Sequence, residues 1–127
     1  MRLVERTPAI ERGRRRKAEQ FATAARMLEE LEDDDELIDV IVTLCVHSGI
    51  AASDVICLKR LGTHVKGEGH AEAVSHLKQA NGAASSTLAT LLGMKTKAGY
   101  GFDSVSRTDL VRAMRAMESM IVAMRAA

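Results

Sequence analysis

The sequence predicts an all-α fold, an up-and-down four-helix bundle with one additional short helix, on three observations. The stretch from Asp34 to Arg60 carries two parallel apolar seams: Leu37, Ile41, Leu44, Ala51, Val55, Leu58 and, one position on, Ile38, Val42, Cys45, Ala52, Ile56. Both follow the alternating four-and-three spacing of a packed helix, and a helix apolar on most sides belongs at the centre of a bundle. Phe21, Tyr100 and Phe102 are the only aromatics, so the core is built from Leu, Ile, Val, Ala and Met, which favours helices over strands. The single proline, Pro8, precedes the first helical pattern and breaks none, and no strand pattern, internal repeat or low-complexity segment occurs.

Residues 1–10 are expected to form a flexible N-terminal arm, and 11–127 a single helical-bundle domain long enough to bury a core. A first helix is expected from Glu11 to Leu31, with Ala18, Phe21, Ala22, Ala25, Leu28 and Leu31 on its inner face. The acidic run Glu32 to Glu36 suits the start of the second helix, where acids complement the dipole. That helix should end at Lys59 and Arg60, with Gly62 as the stop. A loop from Thr63 to Gly69 precedes a short helix from His70 to Ala80, and Asn81-Gly82 is a turn signal. A further helix is expected from Ala83 to Lys95, then a loop from Lys97 to Ser104. Ser106 caps the last helix, with Asp109 at the third position of a capping-box-like start. Leu110, Met114, Met117, Ile121 and Met124 then form a coiled-coil-type seam.

The net charge of +1 gives no global field toward nucleic acid or acidic lipid, but the distribution is uneven. Residues 1–20 carry seven Arg or Lys, and Glu29 to Asp39 carries eight acids. Self-complementary surface or solvated helix ends account for this, with a basic arm for RNA or DNA as the alternative. With only three aromatics, single-strand nucleic-acid binding by base stacking is nearly excluded. Cys45 and Cys57 lie about 18 Å apart along one helix, too far to bridge, and read as small core residues. The N-terminus lacks an apolar signal region and no apolar run approaches about 18 residues, so a cytoplasmic protein without a membrane span is expected.

Asp39, Thr43, His47 and Asp54 fall within about an 80° sector of the central helix, which is either its one wet face or a site. His47 and Asp54, two turns apart with the small Ala51 between, pair a carboxylate with an imidazole; that would raise the imidazole pKa and orient a general base. No metal and no cofactor is expected. His64, His70 and His76 stand six residues apart, a step of about 240° on a helix, so they do not share a face. Ser85, Ser86 and Ser104 have no nucleophile-elbow context, and neither Gly67-x-Gly69 nor Gly99-x-Gly101 follows a strand or precedes Gly-Lys-Ser/Thr.

One further arrangement carries a family resemblance. A central helix reading Val46-His47-Ser48-Gly49-Ile50-Ala51-Ala52-Ser53-Asp54-Val55-Ile56 leads into a loop with Gly69-His70, a short helix, Leu91-Leu92, Lys95 to Tyr100 and a last helix. Over roughly residues 11–125 this resembles the HEPN superfamily of small helical bundles, common in toxin–antitoxin and RNA-targeting systems. The resemblance implies a dimer with a polar cleft between two copies. In active members an arginine followed after four to six residues by a histidine cleaves RNA without metal, the histidine as acid or base and the arginine stabilising phosphate charge. The nearest match here is Arg60-Leu61-Gly62-Thr63-His64, with three residues between, and Lys59 to His64 has the spacing with a cation that lacks the bidentate fork.

The first expectation is therefore a non-catalytic dimeric interaction or regulatory module, with a protein partner or RNA, in which Leu110, Met114, Met117 and Ile121 pack against the second copy. The alternative is a metal-independent ribonuclease with a diverged site: His47, Asp54 and His64 as catalytic groups, Arg60, Lys97 and Tyr100 positioning phosphate. A DNA-binding regulator using the basic first helix lacks a recognisable helix-turn-helix.

Overall fold

The computed structural model describes residues 1–67 and 69–127. The chain is mostly helical, with a two-stranded sheet. In order it runs β1 (Leu3–Glu5), α1 (Pro8–Leu31), α2 (Ile38–Leu61), β2 (Thr63–Val65), α3 (His70–Ala80), α4 (Gly82–Leu92), the five-residue α5 (Lys95–Gly99) and α6 (Arg107–Ala126).

The segment expected as a flexible arm is ordered. Thr7 caps α1 by accepting from the Ile10 amide at 3.1 Å, and Pro8 sits in the first turn, where a missing N–H costs nothing. Before it, β1 pairs antiparallel with β2 in the register Leu3↔Val65, Val4↔His64, Glu5↔Thr63. The Arg6 amide donating to Gly62 O at 2.9 Å and the Lys66 amide donating to Arg2 O at 2.8 Å extend the ladder at both ends.

α1 presents Ala18, Ala22 and Ala25 inward, and these small residues let α2 lie close. Ser48, buried on α2, donates its hydroxyl to Ala18 O at 2.8 Å, which satisfies the polar group inside the contact. α2 is the core helix: it packs most heavily against α1 and α6 and also touches β2, α3, α4 and α5. It starts at Ile38, four residues later than expected, because Asp34 and Asp35 adopt φ of 52° and 61°, left-handed values that Asp tolerates but a helix does not. It ends where expected, at Gly62 with φ 79°, whose amide donates to Leu58 O. Gly49 faces α4 so closely that a Cβ there would meet the Leu91 side chain. α2 alone among the described residues has the length and hydropathy of a membrane span, contrary to the expectation that no such run exists; 67% of that apolar window is buried, which identifies it as a core helix.

The asparagine at the turn, Asn81, caps α4 by accepting from the Ala84 amide, and Ser106 caps α6 by accepting from the Asp109 amide at 3.0 Å. The expected loop after residue 97 is partly helical, since α5 runs through Gly99. The α6 seam is buried within this one chain: Leu110, Met117 and Ile121 are closed off from solvent, and Met114 is half-buried against Cys45, Sγ to Sδ 3.5 Å. That corrects the assignment of Leu110, Met114, Met117 and Ile121 to a second copy, because α2 and α4 already occupy the seam's partner surface. Both cysteines are free and buried, and burial pushes each thiol up to about 12, so neither is a nucleophile at neutral pH.

Candidate functional site

The polar sector of α2 is mostly covered, with Asp39, Thr43 and Asp54 half-buried and His47 exposed. Asp39 accepts from the Val105 amide at 2.8 Å and pins the segment leading into α6. Thr43 and His47 look toward α5, and Asp54 looks toward β2 and the start of α3.

Asp54 is the anchor of the buried half. Arg14 on α1 donates its Nε to Oδ2 at 2.8 Å, and His64 on β2 places Nδ1 3.4 Å from Oδ1. The same Nδ1 lies 2.9 Å from Val65 O, so His64 is the donor in both contacts. Burial raises the Asp54 carboxyl above its ordinary range, against the lowering pull of His64 and Arg14. Asp54 and His64 thus meet in a cluster with Arg14 that ties α1, α2 and β2, a pairing the spacing of Asp54 with His47 did not anticipate.

His47 is not part of that cluster. Its ring stands 5.5 Å from the Phe21 ring, tilted by 32°, while its other side is open. Partial burial, then the charges of Lys95 and Arg14, lower its pKa below the ordinary imidazole value. The expectation of an Asp54-raised imidazole is corrected for a simple reason: the carboxylate is spent on Arg14 and His64, and the charges His47 feels are positive. His47, Thr43, Val46, Lys95, Gly99 and Tyr100 line a cavity of about 150 Å³.

Lys95 opens α5 and stands between the two halves. It lines the His47 cavity and also a smaller one, about 30 Å³, that reaches Ser53, Asp54, Gly69 and His70. Its Nζ donates to His70 Nε2 at 3.3 Å. The cleft at α5 is therefore lined by Lys95 and His47, with His70 in the smaller cavity that Lys95 also lines and Arg14 near enough to act on His47 through its charge.

Tyr100 lines the mouth of this cleft and is 79% exposed; Phe102, two residues on, is 99% exposed. Two of the chain's three aromatics are on the outside, Tyr100 among them lining the cavity that Lys95 also lines, and the third, Phe21, stands against His47.

Of the residues expected to position phosphate, Tyr100 lines the His47 cavity and two do not. Arg60 is exposed and donates to Ala80 O at 3.3 Å, closing the end of α3, so Arg60 and His64 have separate jobs. Lys97 is exposed on α5 and lines neither cavity. Sequence reasoning missed Arg14 and Lys95. Arg14 was legible in principle, since Arg14, Ala18, Phe21, Ala22 and Ala25 share one face at helical spacing. No group of histidine, cysteine or carboxylate side chains able to hold a metal occurs among the described residues. No protein-family model and no curated relative matches the chain.

Proposed function

We propose that α1, α2, α4 and α6 form an up-and-down four-helix bundle of HEPN-like arrangement that serves as a cytoplasmic interaction module, and that its ligand is single-stranded RNA. The observation that carries this reading is the exposure of Tyr100 and Phe102, with Tyr100 lining the same cavity as Lys95 and His47. Exposed aromatic faces and cations that track a phosphate backbone are the two ingredients of single-strand binding, and two exposed rings can each stack a base. A protein partner alone would account for the aromatics but leave Lys95, in no ion pair among the described residues, without a role.

Binding without turnover is the first reading, because Asp54 and His64 are committed to Arg14. Metal-independent cleavage is the second, favoured by one observation: His47 and Lys95 line one cavity, where the cation lowers the imidazole pKa and so favours the neutral ring that a general base requires. Fluorescence anisotropy with a short labelled single-stranded RNA at low salt tests the proposal, and a gel of the same mixture separates the two readings. Saturable binding that weakens in Tyr100→Ala and Phe102→Ala supports it; no binding, or binding indifferent to both substitutions, refutes it. Shortened RNA that persists in His47→Ala removes the second reading.

A further inference from the structure

The outward face of α1 is built in two halves of opposite charge around a small centre. At helical spacing Arg12, Arg16, Gln20, Thr23, Met27, Glu30 and Leu31 fall within about a 100° sector, opposite the inward Ala18, Ala22 and Ala25. All seven are exposed, and Met27 and Leu31 are apolar residues at 59% and 74% exposure. Glu19 and Arg26 beside the face are already paired, with Arg125 and Glu118 of α6. Arg16 and Glu30 are in no ion pair among the described residues.

Arg16 and Glu30 lie seven residues to either side of Thr23. Two turns of helix separate each from the centre, about 10.5 Å along the axis. If a second α1 crosses antiparallel with its two-fold axis at Thr23, Arg16 of each copy meets Glu30 of the other, twice per interface. Thr23 and Ala24 at the crossing are small enough for close approach. Met27 of one copy then falls at the Glu19–Gln20 end of the other, inside an open groove of about 430 Å³ that Arg16, Gln20, Thr23, Ala24 and Met27 line. Arg12 reaches the acidic turn that follows the second copy's α1. A face whose charges change sign about its own midpoint fits one partner better than any other, namely itself.

We propose that this face of α1 is a two-fold interface between two copies of the chain, crossing at Thr23. The interface leaves the cleft at α5 open and does not depend on what that cleft binds. Sedimentation velocity over a concentration series tests it. The chain sediments as a dimer; Arg16→Glu and Glu30→Arg each sediment as monomers, because like charges then oppose each other twice. Arg16→Glu with Glu30→Arg in one chain restores the dimer, with helical content by circular dichroism unchanged throughout. A monomer at the highest soluble concentration, a dimer that survives Arg16→Glu, or a double variant that stays monomeric overturns the proposal.

Discussion

Arg14 Nε and Asp54 Oδ2 are 2.8 Å apart although forty residues separate them in the chain, and their contact stitches α1 to α2 at the rim of the core. Its consequence follows from burial. The Asp54 side chain keeps 14% of its exposure, so removing Arg14 leaves a poorly solvated carboxylate with only His64 to face it. Arg14→Ala should cost about 2 kcal/mol at neutral pH, less than a fully buried pair because Arg14 itself is partly solvated. The Asp54 carboxyl is raised in the folded state, so its proton favours folding: the cost is present at neutral pH and is relieved as pH falls through the folded value toward 3.8. Urea denaturation of variant and parent at pH 7 and pH 5 reads this as a gap that narrows on acidification. A gap of constant size would place the Arg14 contribution in packing instead.

His47 titrates in the opposite sense. Its folded value is lowered from 6.5 by partial burial and by Lys95 and Arg14, so the neutral ring is favoured in the fold. That contribution is fully present above 6.5 and is lost as pH falls from there through the folded value. In NMR the His47 ring protons should titrate below a peptide imidazole, and Lys95→Gln should move the midpoint back up. An unchanged midpoint in Lys95→Gln would show that the cation does not act on the ring. If the cleft takes phosphate, affinity should also rise on acidification, as protonated His47 adds a positive charge beside the ligand.

Tyr100→Ala and Phe102→Ala are expected to leave thermal stability unchanged, since neither ring is in the core. Each should weaken single-stranded RNA binding by about tenfold, within the range for a lost base stack. Lys95→Ala should act differently, lowering the slope of log affinity against log salt by about one phosphate contact. Equal salt slopes in Lys95→Ala and the parent would detach Lys95 from the backbone contact.

Met117→Lys and Gly49→Val should both attack the fold. Met117 is sealed in the core, so a lysine there places an unpaired charge among apolar side chains and the chain should lose its cooperative melting transition by circular dichroism. A folded Met117→Lys variant that merely changed oligomeric state would return the α6 seam to a second copy. Gly49→Val drives a branched side chain into Leu91 and should cost about 1–3 kcal/mol. Leu91→Ala in the same chain should recover part of that loss by making room.

What the sequence disclosed follows the range of the interactions involved. α2, α3, the Gly62 stop and the Ser106 cap rest on neighbours within a few residues, and spacing reveals them. β1 and β2 are three residues each and pair across most of the first half of the chain, so no periodicity registers. The α6 seam was legible as a seam, but a heptad pattern is the same whether α2 of one chain or a helix of another fills it. The site divides along the same line. Asp54 and His47 share a face of α2 as their spacing says, yet their partners Arg14, His64, Lys95 and Phe21 come from three other elements, and those choices set which imidazole meets which charge.

The small sheet has a consequence for the order of assembly. Leu3–Glu5 finds its partner only after about sixty residues of intervening chain have folded back, and a three-residue ladder cannot by itself offset that closure entropy. Docking of α1 on α2 brings the two ends together first and makes the remaining closure nearly free. The strand thus behaves as a clasp on a hairpin that is already shut. Its amide protons should be the first to exchange when that hairpin loosens, ahead of any loss of helix, and they give a local gauge of α1–α2 docking that needs no denaturant.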